Sequence, residues 1–288
     1  MHSTLKMLGA LAVSSFTAAS AFAADLGSPD PTPPVSYQLP GVPERQFYVR
    51  GDIGIAQFAF GEFSQRELAE NGGEFISRSI GDAVTIGAGI GWQINHRLRF
   101  DLTGEYRSTA EVKALDNLTG RLLVPAGTLQ ANTHYTGELS SYVGLMNAYW
   151  DMFRWRGFTP YVGAGIGLAV NTLSGMTTLS TATFIDDLTG DVTNVVDPGH
   201  AKSHSQTNLA WALMAGTSYD ISANAKFDLG YRYMNLGSGS TASSGFIECV
   251  CGTVGSPLKI SDIESHEFRI GIRWSPTADA PRSYEPLK

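Results

Sequence analysis

The clearest pattern in this sequence is a strict alternation of apolar and polar residues over positions 98–107. Apolar or small side chains such as Phe100 and Tyr106 take every second position, and charged or hydroxyl side chains lie between them. A period of two residues predicts a β-strand with one apolar and one polar face. The same alternation returns at 226–233 and 267–274. We therefore expect a chain built from amphipathic strands.

Strands of this kind are predicted at eight places, and the connections between them differ in length. Three connections are short turns, and the remaining four are long. Short and long connections alternate along the whole chain. The predicted strands are 47–60, 79–94, 97–109, 134–150, 158–171, 204–219, 225–236 and 264–275, and the long connections are 61–78, 110–133, 172–203 and 237–263.

The alternation of connection lengths points to one class of protein. Outer-membrane barrels have an even number of strands, short periplasmic turns and long extracellular loops. A soluble β-sandwich offers no reason for such alternation. The predicted fold is therefore all-β, an eight-stranded antiparallel transmembrane β-barrel with an up-and-down meander. Both chain ends are then expected in the periplasm.

The N-terminal residues predict export. Lys6 precedes an apolar and small-residue stretch that ends in Ala21-Phe22-Ala23, which fits a signal peptide of residues 1–23 cleaved after Ala23. Residues 24–46 are rich in proline and are predicted to form an extended periplasmic leader. The barrel is then assigned to residues 47–275 and a short periplasmic tail to residues 276–288. The expected location is the cell outer membrane.

Charge excludes one class of partner. The formal net charge is −7, and it becomes −8 once Lys6 is removed with the signal peptide. Nucleic acid is not an expected partner, because phosphate binding requires an excess of Lys and Arg. Beyond the signal peptide, no stretch approaches the roughly 18 apolar residues of a transmembrane helix.

Many charged residues lie on the polar strand faces, which must point into the barrel because a charge in mid-bilayer costs a few kcal/mol. An eight-stranded barrel is just wide enough for side chains to fill. Charges of both signs are therefore expected to pair into a plug, and a narrow solute path is the alternative. The predicted interior charges are Arg50, Asp52, Arg99, Asp101, Glu105, Arg107, Lys226, Asp228, Arg232, Glu267, Arg269 and Arg273.

Aromatic residues cluster at the strand ends next to the short turns. Aromatic side chains at strand ends are typical of the girdle at a membrane interface. A soluble core is the alternative, but it does not explain the Arg and Asp residues between the aromatic ones. The predicted periplasmic girdle is Phe47, Trp92, Trp150, Phe158 and Trp274.

Cysteine and histidine offer weaker hypotheses. Cys249 and Cys251 lie in the last long connection, where an exported protein could form a disulfide. A Cys-x-Cys ring is strained, so free thiols are an equal alternative. His200 and His204 could ligate haem iron or a metal, although exposed loop histidines are the simpler interpretation. No cofactor or metal is therefore predicted.

A lipid-modifying enzyme is a further alternative. Ser265, His266 and Glu267 supply the residue types of an acyl-transfer site. Neighbouring strand residues point to opposite faces, which separates His266 from the other two. No catalytic residue is therefore predicted.

The closing segment His266–Trp274 and the opening Phe47–Gly54 resemble those of a known group, as do 161–167 and 229–233. The chain resembles the small porin-family outer-membrane immunogenic proteins of alphaproteobacteria, within the OmpA-type and opacity-type barrel superfamily. The resemblance implies an abundant surface barrel that supports envelope integrity. The chain differs from the group in one respect. Members of the group usually end on the aromatic residue of the last strand, whereas here fourteen residues follow Trp274.

The expected function is structural and interactional. The long connections are rich in Thr, Ser, Asn and Gly, and such loops commonly carry function. Expected partners are outer-membrane lipid and lipopolysaccharide, the barrel-assembly machinery, and host or matrix surface ligands bound by the loops. A narrow passive porin is the first alternative and the lipid-modifying enzyme is the second.

Overall fold

The computed structural model describes residues 46–123, 126–242, 246–248 and 256–276. The signal peptide, the leader up to residue 45, Cys249, Cys251 and the tail from residue 277 lie outside these residues. The strands are β1 (Gln46–Phe60), β2 (Phe63–Ser64), β3 (Glu74–Ile80), β4 (Ala83–Gln93), β5 (Leu98–Leu123), β6 (Ala126–Asp151), β7 (Phe158–Asp186), β8 (Val192–Ala201), β9 (His204–Asp220), β10 (Ala225–Asn235), β11 (Gly239–Ser240), β12 (Phe246–Glu248), β13 (Lys259–Ile260) and β14 (Ile263–Trp274), and a short helix α1 (Arg66–Glu70) lies between β2 and β3.

Eight of these strands form a closed ring. The order is β1, β4, β5, β6, β7, β9, β10 and β14, each hydrogen-bonded antiparallel to the next, and β14 pairs back to β1. The order of the strands around the ring is their order along the chain, with β2, β3, β8, β11, β12 and β13 lying outside the ring. The predicted eight-stranded up-and-down barrel is therefore confirmed.

The register of the ring fixes its width. Paired positions followed once around the ring start at Phe47 and return at Gln57, ten residues further along β1. With the usual strand spacing and rise, this stagger tilts the strands by roughly 40° and gives a backbone radius of roughly 8 Å. Side chains can fill a cylinder of that size.

The faces of the ring are reversed relative to a soluble protein. Large apolar side chains point outward, such as Ile86 at 60% exposure and Met146 at 67%. Inward positions hold charged residues, and Arg107 and Glu267 are fully buried. A lipid environment requires this arrangement, because the bilayer core accepts the apolar face and excludes the charged one. Among the described residues, no helix is long and apolar enough to cross a membrane.

The prediction of loops is wrong for two of the four long connections. Residues 110–133 and 172–203 largely continue the barrel strands, with β5 pairing to β6 as far as Leu123 and Ala126, and β7 pairing to β8. Irregular registers near 107–110 and 136–138 mark where each extension begins. We call these extensions, residues 110–138 and 172–201, the extracellular ribbons. Polar β-branched residues such as threonine favour extended backbone even without an apolar face.

The other two long connections fold over the extracellular opening. Residues 61–64, 237–240 and 256–262 meet there, and β2, β13 and β11 pair into a small sheet. We call these three segments the lid. Gly237 has a φ of 77° and contacts Asn208 so closely that a Cβ atom would lie 2.5 Å from the Asn208 side chain. Only glycine fits this turn without strain.

Candidate functional site: a sealed interior beneath extracellular ribbons

The centre of the barrel contains a cluster of buried ion pairs around Glu105. Its carboxylate accepts hydrogen bonds from Arg232 Nη2 at 2.6 and 2.7 Å, and it pairs with Arg107 at 3.0 Å and Arg269 at 3.1 Å. Glu267 contacts two of these three arginines, Arg232 through Nε at 2.7 Å and Arg107 through Nη2 at 2.6 Å. These residues come from β5, β10 and β14, so the cluster joins strands that are not neighbours.

A second cluster fills the half of the barrel next to the short turns. Arg50 Nη1 donates to Asp101 at 2.9 Å and to the Tyr149 hydroxyl at 2.9 Å. Arg273 forms two hydrogen bonds to Asp228, at 2.6 and 3.0 Å. Bidentate pairs of this kind are the strongest arginine contacts. Arg273 and Asp228 lie on the neighbouring strands β14 and β10, whereas Arg50 joins β1 to β5 and β6.

Arg99 is held in a different way. Its Nε lies 3.1 Å from Asp151, while its guanidinium carbon lies 4.2 Å from the centre of the Tyr149 ring and 4.6 Å from that of Tyr161. The two Nη atoms have no hydrogen-bond partner. Stacking between two aromatic rings therefore takes the place of hydrogen bonds for this buried cation.

The two clusters meet at Asp52 and balance in charge. Asp52 contacts Arg50 at 3.3 Å and also pairs with Arg269. Lys226 differs from the other predicted residues, since it lies half-exposed at the rim and pairs with Asp220 at 2.9 Å. Asp151 was not predicted, because the fourth predicted strand ends at residue 150, whereas β6 continues to Asp151. The buried cations of these clusters are Arg50, Arg99, Arg107, Arg232, Arg269 and Arg273, and their buried anions are Asp52, Asp101, Glu105, Asp151, Asp228 and Glu267.

These side chains leave almost no free space. The cavity between the two clusters, lined by Arg50, Tyr149, Tyr161 and Arg269, has a volume of about 20 Å³. That is about the room one water molecule needs. A cavity of this volume admits no solute larger than water.

The lid forms a second, apolar seal on the extracellular side. Phe63, Leu258 and Ile260 are buried there, and they pack in one cluster with wall residues such as Leu139 and Leu173. Asn171 Nδ2 donates to the carbonyl oxygens of residues 236 and 238, at 2.9 and 3.0 Å, and so holds the lid to the wall. An aqueous path would have to cross both seals.

A hydrogen-bond chain links the lid to the first ribbon. The Tyr135 hydroxyl lies 2.7 Å from both Asp116 Oδ2 and Gln65 Oε1, and Gln65 Nε2 donates to the Ser256 carbonyl at 3.1 Å. The phenol has one hydrogen for two acceptors. Both contacts are satisfied when Asp116 carries a proton. Burial raises the pKa of Asp116, although hydrogen bonds from Tyr135 and Thr133 lower it in part.

The predicted girdle residues all lie outward at the end with the short turns. Phe47, Trp92, Trp150, Phe158 and Trp274 are between 38% and 49% exposed. A second belt was not predicted. It lies toward the other end of the barrel, eight residues earlier in three strands: Tyr142 before Trp150, Trp211 before Tyr219 and His266 before Trp274. Eight residues at this tilt separate the belts by about 20 Å.

The structure separates the residues of the alternative sites. Ser265 and Glu267 point inward and bond to each other at 2.7 Å, while His266 points outward and lies 2.6 Å from the Tyr231 hydroxyl. His200 and His204 are exposed at the base of a ribbon. In the part of the chain that the structure describes, no three His, Cys, Asp or Glu side chains converge as metal ligands.

The outer face of the ribbons carries rows of neutral polar side chains. One row joins Asn117 to Asn132 through a hydrogen bond of 3.0 Å, and the next joins Thr183 to Asn194 at 2.9 Å. Apolar residues interrupt the rows, such as Val196 at 59% exposure. The face therefore offers amide and hydroxyl groups beside small apolar patches.

Comparisons with known proteins agree with this architecture. The chain is 29% identical over 269 residues to an uncharacterised protein of Brucella abortus, covering 84% of this chain and 88% of that one. It is 25% identical over 240 residues to a candidate adhesin of Rickettsia prowazekii (80% and 88% covered), and 24% identical over 217 residues to the outer membrane protein PagN of Salmonella typhimurium (74% and 81% covered).

Two solved structures are also similar. OprG, an outer membrane protein of Pseudomonas aeruginosa, gives a TM-score of 0.47 at 14% identity, with 83% of this chain and 99% of that chain covered. Neisserial surface protein A gives 0.40 at 17% identity, with 80% and 97% covered.

A family model supplies the assignment. Residues 8–275 match the model of the outer membrane protein beta-barrel domain, which includes the whole ring. The reversed faces and the aromatic belts agree with a location in the cell outer membrane. The chain belongs to the outer membrane protein beta-barrel domain family.

Proposed function

We propose that this protein is a non-conducting surface barrel that binds host or matrix ligands through its extracellular ribbons. The sealed interior carries the proposal. In the described residues, paired charges and an apolar lid occupy the barrel interior, which supports a function carried by the exposed surface outside the barrel.

The relatives support a role at the surface. One related protein is described as a candidate adhesin, and its similarity extends over 80% of this chain. The ribbons continue the strands well beyond the second belt, since β6 runs from Tyr142 to Ala126 on the extracellular side. Strand pairing fixes the backbone of these residues. A ligand therefore binds them at a lower entropic cost than it would bind a mobile loop.

The ribbons can be shortened without disturbing the barrel. Thr178 pairs with Gly199 and Leu118 pairs with Ala131, so residues 179–198 and 119–130 can each be replaced by an Asn-Gly turn. Both changes leave the interior charges and the lid in place. The shortened proteins should keep the heat-modifiable mobility of a folded barrel on gels.

The test is adhesion of bacteria expressing the intact or shortened protein to epithelial monolayers and to laminin-coated wells. We expect shortening to lower adhesion at least tenfold at equal surface expression. A matched variant with Ser222→Ala and Asn224→Ala in a short turn should adhere normally. Unchanged adhesion of both shortened proteins would remove the ribbons as binding elements.

Conductance tests the other half of the proposal. In a planar bilayer, the folded protein should give no steps, because two seals close the barrel. Stable steps that scale with salt concentration would favour the porin alternative instead. A role in envelope integrity is compatible with a silent barrel, and we propose it as well.

A further inference from the structure

Charge is distributed unevenly along the barrel axis. The interior clusters are neutral, and the extracellular segments are acidic, with Asp186, Asp187 and Asp191 at one ribbon tip. The short turns at the opposite end carry Arg97, Arg154 and Arg156. Among the residues that the structure describes, that end is therefore basic in an acidic protein.

Carboxylates neutralise only part of this basic end. Asp220 pairs with Arg154 at 2.5 Å and with Lys226 at 2.9 Å, and Asp151 is buried against Arg99. Within the described residues, Arg97 and Arg156 have no carboxylate partner. Both side chains are exposed.

The turn between β6 and β7 holds its arginines next to exposed aromatic rings. Trp155 and Phe158 exchange two backbone hydrogen bonds of 2.9 Å, and Arg156 and Gly157 have φ angles of 48° and 87°. This is a two-residue hairpin turn of type I′. It leaves Phe153 and Trp155 each 62% exposed, and the Arg156 guanidinium lies 5.5 Å from the centre of the Trp155 ring.

This turn is held by backbone hydrogen bonds and lies beside the girdle. The Asp220 amide donates to the Gly157 carbonyl at 3.0 Å, and the Met152 amide donates to the Pro160 carbonyl at 2.9 Å. The Phe158 ring contacts the Tyr219 ring, with 4.7 Å between their centres. Aromatic rings lie preferentially at the level of lipid headgroups, where arginine meets phosphate.

We infer that the basic turn end, formed by Arg97, Phe153, Trp155 and Arg156, binds anionic phospholipid headgroups of the inner leaflet. The short-turn end of an outer-membrane barrel faces that leaflet. The rings enter the border of the acyl region, and the two unpaired guanidinium groups bind the phosphates. The inference does not depend on the proposed adhesion, because it concerns the opposite end of the molecule.

The test compares lipid selectivity of the full-length folded protein in phosphatidylcholine bilayers. Spin-labelled phosphatidylglycerol and spin-labelled phosphatidylcholine report the relative association constant at the protein surface. We expect wild type to prefer phosphatidylglycerol, and Arg97→Gln with Arg156→Gln to lower that preference roughly tenfold. Lys202→Gln with Lys259→Gln makes the same charge change at the extracellular end and should leave the preference unchanged.

Two results would overturn the inference. One is an equal preference in wild type and the Arg97→Gln, Arg156→Gln variant, and the other is an equal loss in the extracellular control. If the double variant does not fold, the salt dependence of wild type decides. The preference must then fall when sodium chloride is raised to screening concentrations, and a salt-independent preference contradicts the inference.

Discussion

Glu105 shows how strongly a single residue can depend on its neighbours in this interior. Three arginines converge on its carboxylate, and each of them is buried or nearly so. A buried ion pair adds little net stability, but the loss of one partner leaves an uncompensated charge. A change of one side-chain atom at Glu105 is therefore expected to lower the stability of the folded barrel strongly.

Replacing Glu105 with glutamine should lower the free energy of unfolding by about 3–5 kcal/mol. Glutamine keeps the shape of the side chain, so the loss of stability is due to the missing charge and not to altered packing. The measurement is urea unfolding in lipid vesicles, followed by tryptophan fluorescence. Glu111→Gln is the matched control, since its pair with Lys113 is exposed, and it should cost less than about 1 kcal/mol. Equal effects of the two substitutions would contradict the central role of the cluster.

Asp116 should make stability depend on pH. Its pKa is raised in the folded barrel, so the folded state holds a proton that the unfolded state releases near pH 4. The contribution of the protonated form to stability is thus fully present below the unfolded pKa and is lost as the pH rises through the folded pKa. Asp116→Asn keeps the donor to Tyr135 and should remove this dependence. Thermal midpoints of both proteins between pH 3.5 and 7 provide the check, and parallel curves would refute it.

At the residue scale, the sequence predicts which way a side chain points better than what it contacts. Alternation placed Arg107 and Glu267 inside, and the structure has them there. It could not pair Arg232 with Glu105, because that contact depends on the stagger of the whole ring. Asp151 was missed because its strand continues one residue beyond the predicted end.

Among the elements, the turn at Arg156 is strained. An arginine with a φ of 48° occupies a conformation that asparagine and glycine adopt at lower cost. Arg156→Asn should therefore raise the free energy of unfolding by about 0.5–1 kcal/mol in neutral lipid. Urea unfolding measures this. Arg154→Asn, two residues earlier with ordinary backbone, should give no such gain, and a gain there would show that charge rather than backbone is responsible.

The ribbons and the lid show where pattern reading ends. Strand prediction relied on the alternation of apolar and charged residues. The ribbons lack this alternation, because one face carries neutral polar side chains and the other carries both polar and apolar ones. Residues 110–133 were therefore predicted as a loop, although they continue strands β5 and β6. The lid joins segments far apart in the chain, at Phe63 and Ile260, and local sequence does not encode that pairing.

For the molecule as a whole, the distance between the two belts predicts the preferred membrane. The belts are about 20 Å apart, which is thin compared with the roughly 30 Å of an average bilayer core. Refolding should be faster in bilayers of 12-carbon lipids than in bilayers of 18-carbon lipids. Each ångström of difference between the hydrophobic thickness of the barrel and that of the bilayer costs free energy. Refolding yields read from gel mobility provide the measurement. Faster refolding in the thicker bilayer would mean that the second belt does not mark the membrane border.

The interior clusters also determine the order in which the barrel can assemble. Arg232 and Glu105 are 127 residues apart in the chain, and they meet only when β14 has closed the ring between β10 and β1. An open sheet in the bilayer would leave these charges without partners, at several kcal/mol each. Insertion, closure and pairing are therefore expected as one cooperative step, with no stable half-built barrel in the membrane. A chain that lacks its last strand should remain at the membrane surface.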